Sequence, residues 1–587
     1  MFKKLFKSKK TTEKINTGEK LRAIKEKIDK VKYRSQECHL IMLGAFVLVM
    51  MYFVYIQIWQ RDLYVSQGNI RFLNTIEIPA TRGKIIDANG DILASSIPVV
   101  SVWSDRSLTI GAPEEKLRAL AKILDMKYSE LQTKLLVKRN FIPIKRQVIL
   151  EKKDEIKALK IPGIQFINES KRYYPQANLF AHMVGFTNME GVGAEGIELR
   201  YEKDLQGTPG IKTVLRNRMG QIIDDPQNFE PEKNGQDIKL TVDSRIQYLV
   251  ANILRDAIKE YDAASGGAIV IDVKTGHILA MVSLPDYNPN NLQERRGSKL
   301  RNRVITDVFE PGSIIKPLVA ALALDSKAIT TRTLFDTGNG RYVYQGSVIT
   351  DVSRHNGVLD VAGIIRRSSN IGMTMISERL TAEQMWSVFN ALGLGTTPSI
   401  AFPGAASGIL RPWQKWRLIE KATMSYGYGL SVSLLQIAQA YTALARGGDM
   451  ITVGLGPKDD HPSTVKVFSS EVSRQIIDMM AAAVSHEGGN NVQQYSPNYR
   501  IAGKSGTARK IVNKEYSKTD YRASFVAIAP VQHPKIVVAV TIDRPLKKNY
   551  YGSVVSGPVA AKIIDGTLRY LSVPPEPPED KTSTATQ

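Results

Sequence analysis

FEPGSIIKPLVAALALDSK, Phe309 to Lys327, sets the reading of the whole chain. Glu310-Pro311-Gly312 interrupts regular structure, and PLVAALALDSK is rich in helix formers. Proline has no N–H, so Pro317 fits among the unpaired donors of a first helical turn and places the helix start near Ser313. Residues i and i+3 share a helix face, which predicts that the Ser313 hydroxyl and the Lys316 amine can touch. A capping serine followed by a solvated lysine is the plainer reading of this stretch alone.

Two further stretches give the pair a context. A nucleophilic serine needs a base, hydrogen-bond donors and an anion hole. The chain has no GxSxG elbow and its seven histidines are scattered, so a Ser-His-Asp assembly has no local support. Serine–lysine chemistry has three: Ser313-Ile314-Ile315-Lys316, Ser368-Ser369-Asn370 and Lys504-Ser505-Gly506-Thr507. Each motif also occurs elsewhere, and those copies fail on context. Ser463-Thr464-Val465-Lys466 lies in the extended stretch HPSTVKVF, where alternating faces separate its serine from its lysine. Ser496-Pro497-Asn498 sits in a polar turn, and Lys274-Thr275-Gly276 reads as a hairpin tip. Only the copies at 313, 368 and 504 combine the right order with a helix start, a loop leading into a helix (RRSSNIGMTMISERL) and a glycine-bearing strand (YRIAGKSGTARKIV).

The 587 residues carry a formal net charge of +22, of which residues 1–37 contribute +8. No dense basic stripe interleaved with aromatics follows, which argues against nucleic acid as a partner. LIMLGAFVLVMMYFVYIQI, Leu40 to Ile58, is 19 residues without a charge, with Trp59 at the expected headgroup level. No cleavage site of small residues follows, so the stretch reads as an uncleaved anchor rather than a signal peptide. The positive-inside rule then places the basic tail in the cytoplasm and the rest of the chain outside it. The single cysteine, Cys38, excludes an intramolecular disulfide framework and a CxxC metal or redox site. No HExxH, EF-hand or phosphate-cradling GxxxxGK[ST] sequence is present, and no metal or other cofactor is expected.

The pattern predicts a multidomain α/β chain: a basic tail over 1–37, an anchor over 38–59, a non-catalytic pedestal over 60–235, a mixed helix–strand domain over 236–571 and a Pro-rich, polar, disordered tail over 572–587. IPATRGKIIDANGDILASS, Ile78 to Ser96, reads as two strands around a two-residue turn at Asn89-Gly90. Residues 115–160 have the spacing of amphipathic surface helices, whereas Arg172 to Gly210 is glycine-dense and reads as loop-rich packing. LTVDSRIQYLVANILRDAIKEY begins a helix, and GGAIVIDVKTGHILAMVSLP alternates as a strand hairpin turning at Lys274-Thr275-Gly276. Strands YRASFVAIAP and KIVVAVTID and a helix around VAAKIIDGTLRYL close the domain.

The three motifs in this order resemble those of the class B penicillin-binding proteins, and the sequence is similar to the septal D,D-transpeptidase branch of that family in Gram-negative cell division. The resemblance runs from the anchor to Leu571. It includes ATRGKIIDANGDILA, the RYYP…GFTN…GAEGIE…LQGTPG block, FEPGSIIKP, SSN, YGYGLSVSLLQIAQAY, AGKSGTARK and YYGSVVSGPVAAKI. Two departures stand out: Ala88 replaces a usual arginine, and GGNNVQQ replaces a Gly-Gly-Thr-rich segment before the third motif. The resemblance implies one transmembrane helix, an elongated α+β pedestal of the dimerisation type, and a serine β-lactamase-like transpeptidase domain with a central antiparallel sheet.

It also implies roles. Ser313 is the acylated nucleophile, Lys316 its general base, Ser368 a proton relay and Asn370 an orienting amide. The backbone N–H groups of Ser313 and Thr507 form the oxyanion hole, Gly506 keeps the strand edge open, and Lys504 with Ser505 and Thr507 holds the carboxylate of a D-Ala-D-Ala terminus. Lysine ordinarily stays protonated; holding its pKa near neutrality costs about 4 kcal/mol, available from burial and a second cation. Lys504 is the candidate cation. The implied partners are peptidoglycan stem peptides on lipid-linked precursor strands, β-lactam antibiotics, a glycosyltransferase of the shape-elongation-division-sporulation (SEDS) type with other division proteins, and the inner membrane.

Four other readings share parts of this pattern. A β-lactamase needs a glutamate dedicated to deacylating water, which the motifs do not supply. A β-lactam sensor needs more membrane spans, and a D,D-carboxypeptidase passes its acyl group to water. A catalytically silent division scaffold takes no penicillin label. SSN with FEPGS favours septal work over the elongation branch, whose second motif more often ends in aspartate.

Overall fold

The computed structural model describes residues 17–139, 141–216, 222–224, 229–400, 402–459, 462–485, 491–513 and 515–576. Residues 1–16 of the basic tail, Gly488 to Asn490 of the GGNNVQQ segment, and 577–587 of the expected disordered tail lie outside them. The chain divides into two compact units, Met1–Pro79 with Pro209–Glu232, and Ala80–Thr208 with Lys233–Gln587.

The first unit is built on helix α1, Thr17–Ile58. At 1.5 Å per residue its uncharged part, Leu40–Ile58, is roughly 28 Å long, close to the hydrocarbon thickness of a bilayer. Among the described residues it is the one helix long and apolar enough to cross a membrane, and its Leu, Val and Met side chains there are exposed. The charged first half continues the same helix. A small antiparallel sheet completes the unit, with Gly210–Arg216 pairing Leu73–Ile78, Ile222–Asp224 and Phe229–Glu230.

In the second unit, residues 80–208 carry a sheet covered by the expected amphipathic helices Glu114–Ile123 and Tyr128–Leu135, and by Leu150–Ala158, which is not amphipathic and buries only Ile156. Their leucines close a core with Val100, Val102, Ile142 and Ile144. The hairpin at Asn89-Gly90 differs from expectation: Ile86 pairs with Ile92, leaving a five-residue loop. The buried Asp87 carboxylate dictates that loop. Oδ1 accepts from the amides of Asn89 and Asp91, each at 2.8 Å, and Oδ2 from Ser244 N at 3.0 Å. The glycine-dense block contains three short helices, and it is held by charge. Glu198, wholly buried, accepts from Arg82 and Arg172 at 2.7 and 2.6 Å.

The larger part of this unit is a five-stranded antiparallel sheet between helical layers. Helix α2 (Ser244–Tyr261) leads into hairpin strands β1 (Ser265–Asp272) and β2 (Ile278–Leu284). Helices α3 (Lys316–Asp325), α4 (Asn370–Glu378), α5 (Leu434–Ala445) and α6 (Ser470–Val484) follow. Strands β3 (Ala502–Val512), β4 (Glu515–Ala529) and β5 (Ile536–Asp543) and helix α7 (Gly557–Tyr570) end the fold. The sheet order is β2-β1-β5-β4-β3, so β3, which carries the third motif, is an edge.

Period-2 alternation sends Val270, Val282, Phe525 and Val538 to the α2/α7 side, and Ile269, Met281, Val526 and Val537 to the other. Both faces are covered, which is why IVVAVTID is buried throughout rather than alternating. Helix α3 is apolar all round between its terminal Lys316 and Asp325, and Lys316 through Leu324 are all buried. A helix of that kind belongs inside a core. It carries Lys316 in with it. Beyond α7, Tyr499 donates to Val573 O at 2.7 Å and Glu576 N to Asn498 O at 3.0 Å, tying residues 573–576 against the segment that enters β3.

Candidate active site

The serine turn is a short 3₁₀ helix, Gly312–Ile315, running directly into α3. It is gripped from three sides. Gly312 N donates to Gly427 O at 3.0 Å, and Gly427, at φ +93°, sits so close that a Cβ would lie 2.0 Å from Gly312 O. Tyr441, fully buried, donates its hydroxyl to Ile314 O at 2.5 Å. On the third side β3 packs against the turn at Gly506, where a Cβ would stand 3.0 Å from Pro311 O and Ile314 Cγ2. Ser313 is left half-buried and reachable from outside.

The second motif occupies a helix–helix corner. Helix Val361–Arg367 ends at Ser368 in the left-handed conformation, φ +56° and ψ 40°. For a residue with a Cβ this costs of order 1–3 kcal/mol. The corner turns both the carbonyl and the hydroxyl of Ser368 to Lys316. Lys316 Nζ donates to Ser368 O at 2.6 Å, Asn370 Oδ1 at 2.9 Å and Ser368 Oγ at 3.3 Å. No direct Ser313–Lys316 hydrogen bond is among these; polar groups of Ser368 and Asn370 surround Nζ. Asn370 is not the cap of α4. Ser369 is, accepting from Gly372 N at 2.9 Å, which frees the Asn370 side chain to span Lys316 and, through Nδ2, Thr350 O at 3.0 Å.

Lys504, 3% exposed on β3, donates to Ser368 Oγ and to Ser505 O, each at 3.0 Å. Three segments separated by more than 50 residues each thus meet at one hydroxyl. Backbone groups two residues apart on a strand point the same way, so the Thr507 N–H faces outward from the sheet edge with the Ser505 carbonyl. Thr507 Oγ1 accepts from Gly552 N at 2.9 Å, leaving its own proton free to donate. Ser505 and Thr507 are half-buried on that edge.

Two ammonium groups sharing one hydroxyl cannot both keep their protons cheaply. Burial, then the charge of Lys504, hold Lys316 well below the ordinary lysine pKa, against an opposing pull from Asp351. Burial lowers Lys504 to about 7. Burial and the second cation both favour a neutral Lys316 amine beside a charged Lys504. In that state Lys504 donates to Ser368 Oγ, and the Ser368 proton turns to the free amine of Lys316. The arrangement supplies a neutral amine, a hydroxyl bridge and a retained cation.

Motif reading missed Asp351. Its Oδ2 accepts from Ser369 Oγ at 2.6 Å and Asn356 Nδ2 at 2.9 Å, and its Oδ1 from the amides of Asn370 and Ile371 at 2.6 and 3.0 Å. It sits 17 residues before the second motif in a loop with no pattern of its own. Gly427 and Tyr441 lie within the quoted YGYGLSVSLLQIAQAY, where the close Gly-Tyr-Gly spacing was the available signal. Among the described residues no group of three or more His, Cys, Asp or Glu side chains could hold a metal ion.

Two family profiles match the chain: the penicillin binding protein transpeptidase domain over residues 266–565, and the penicillin-binding protein dimerisation domain over 77–240. It is 39% identical over 530 residues to the probable peptidoglycan D,D-transpeptidase PenA of Neisseria meningitidis, covering 89% of this chain and 90% of that one. The peptidoglycan D,D-transpeptidase FtsI of Escherichia coli K12 is 34% identical over 531 residues, covering 89% of both. Among solved structures, the transpeptidase domain of Burkholderia pseudomallei penicillin-binding protein 3 is 47% identical at a TM-score of 0.53, covering 58% of this chain and 98% of that one. A peptidoglycan synthetase from Bifidobacterium adolescentis is 26% identical at a TM-score of 0.69, covering 86% of this chain and 98% of that one. With both profiles in place and these relatives matched over nearly their whole length, the chain belongs to the peptidoglycan D,D-transpeptidase family of penicillin-binding proteins.

Proposed function

We propose that this chain is a membrane-anchored serine D,D-transpeptidase that cross-links peptidoglycan stem peptides of the division septum and is acylated by β-lactams. The observation that carries the reading is the meeting of Lys316 and Lys504 at the Ser368 hydroxyl, beside the reachable Ser313. Lys504, with the Ser505 and Thr507 hydroxyls, holds the terminal carboxylate of the donor stem. The backbone N–H groups of Ser313 and Thr507 receive the oxygen of the scissile carbonyl. Lys316 takes the proton from Ser313 Oγ as it bonds to that carbon. The C–N bond to the terminal residue breaks, and the proton passes through Ser368 to the departing D-alanine amine. An amine of a second stem then attacks the ester, gives up a proton by the same route and restores the Ser313 hydroxyl. Asn370 holds Lys316 and the substrate amide in register.

The same reading places the N-terminal tail in the cytoplasm and the catalytic part outside the inner membrane at the septum. There it works on lipid-linked strands beside a SEDS-type glycosyltransferase and other division proteins. Neither the elongation role nor a silent scaffold is favoured by the relatives. Purified full-length chain, given a D-Ala-D-Ala stem and an amine-bearing acceptor, is expected to release D-alanine and form the cross-linked product. Release without cross-linking at any acceptor concentration would instead make it a carboxypeptidase. Depletion in cells is expected to give filaments; round cells would assign it to elongation.

A further inference from the structure

The chemistry above leaves one long stretch of chain without a task, the half of α1 that precedes the uncharged span. Between residues 20 and 39 its large aliphatic side chains are Leu21, Ile24, Ile28 and Val31. Their 3-4-3 spacing puts them on one face, at positions a and d of two heptads. All four are exposed, from 50% at Ile28 to 66% at Val31. A continuous apolar row of this kind marks a contact face, where single scattered residues would not.

The charges are sorted around that row. From 20 to 34 the flanking e and g positions are Lys20, Lys25, Lys27, Lys32 and Arg34, basic without exception. The acids Glu26 and Asp29 fall at f and b, turned away from the row. The five flanking cations are exposed, and among the described residues none of them makes an ion pair. The complement of this face is apolar along its middle and acidic along both rims.

A second copy of the chain does not supply it. Two copies anchored in one membrane share an orientation, so their helices pair only in parallel. Each g position then meets the e position five residues on in the other copy, which sets Lys20 against Lys25 and Lys27 against Lys32, twice over. Like charges along both rims oppose that pairing. The backbone argues against a lipid surface. Helix α1 runs unbroken from this stretch into the span, and residues 19–43 hold no proline or glycine at which it could fold down onto a bilayer. Leu21 stands roughly 28 Å along the axis from Leu40, well beyond the ~8 Å reach of headgroup charge at physiological salt.

We propose that residues 20–34 are a docking helix for a cytoplasmic partner: an amphipathic α-helix with apolar residues at its own a and d positions and Asp or Glu at e and g, joined in a two-heptad coiled coil. The assignment goes beyond the transpeptidase reading and rests on one part of it, the placing of the N-terminal tail in the cytoplasm. The span supplies a helix that is already nucleated, so the acidic helix meets a face that is in place before it arrives. The contact ties an enzyme whose chemistry lies outside the membrane to a protein inside.

The test is photocross-linking in cells that make the full-length chain. The photoreactive residue p-benzoylphenylalanine replaces Ile24 on the row or, in a second variant, Tyr33 at an f position on the far side. The protein adduct from position 24 is expected to exceed that from position 33 by about tenfold or more. Its partner peptide, read by mass spectrometry, is expected to carry 3-4-spaced apolar residues flanked by Asp or Glu. With Lys25→Glu, Lys27→Glu and Lys32→Glu added together, the adduct is expected to fall about tenfold while fluorescent-penicillin labelling stays unchanged. An adduct with a second copy, with phospholipid or with a segment lacking acidic flanks would overturn the proposal. So would equal yields from the two positions, no adduct from either, or a yield indifferent to the charge reversal. Protease added to spheroplasts separates this inference from the topology beneath it. A tail left intact lets a negative cross-linking result fall on the docking helix alone, whereas a tail digested from outside would overturn both.

Discussion

Replacing Lys504 by arginine tests the division of labour between the two lysines. Burial lowers Lys504 to about 7 in the free protein, so its positive charge is lost as pH rises through that value. The second-order acylation constant reports the free enzyme, so it should follow that charge. Above pH 7 it is expected to fall about tenfold per pH unit, reaching about 100-fold below its plateau at pH 9. Arginine keeps its proton throughout this range. Lys504→Arg is therefore expected to remove the alkaline fall, giving a flat profile to about pH 9.5. Its plateau should be lower, because the longer fork is crowded into a site where the lysine is 3% exposed. Shape, not height, is diagnostic. The assay is the rate of fluorescent-penicillin labelling between pH 6 and 9.5. A wild-type profile flat from pH 7 to 9, or the same midpoint in Lys504→Arg, would refute the assignment of the retained cation to Lys504.

Three further outcomes follow from the geometry. Lys316→Met should slow acylation by about 10²–10⁴-fold, the usual worth of a general base, while raising Tm. The folded pKa of Lys316 lies below its unfolded value, so the wild-type chain gains stability as pH rises toward ~10.4; the Tm gain of the variant should shrink over that climb, and a Tm loss at neutral pH would contradict it. Gly506→Ala places a Cβ 3.0 Å from Pro311 O and Ile314 Cγ2, so labelling should slow at least tenfold as β3 is pushed off the serine turn. Unchanged labelling would show that this contact does not set the oxyanion geometry. Asp351→Ala strips the acceptor from the Asn370 and Ile371 amides and from Ser369, which should cost about 2–4 kcal/mol and lower both Tm and the labelling rate.

Local pattern carried the reading where chemistry and periodicity are short-ranged. The helix at Lys316, the hairpin at Lys274-Thr275-Gly276 and the glycine-bearing edge strand all announce themselves within about a dozen residues. The rejected motif copies separate the same way: Thr464–Lys466 is a strand, as its alternation predicts. What stayed hidden depends on groups far apart in the chain. Asp351 acts through backbone amides of another segment, and the five-residue loop at Asp87 is shaped partly by Ser244, 157 positions away. The i, i+3 rule put Ser313 and Lys316 on one helix face. It could not say that polar groups of Ser368 and Asn370 would surround Nζ. Burial of Lys316 was legible in hindsight from PLVAALAL, because a helix with no polar face has no side on which its first lysine can reach water.

The account's central claim is that Ser313 is the atom acylated, with Lys316 as its base. Peptide mapping by mass spectrometry after incubation with benzylpenicillin tests it most directly. The account predicts one penicilloyl group per chain, on Ser313 within the peptide VITDVFEPGSIIKPLVAALALDSK, and its disappearance in Ser313→Ala. A penicilloyl group carried on any other residue, or persistent labelling of Ser313→Ala, would contradict it.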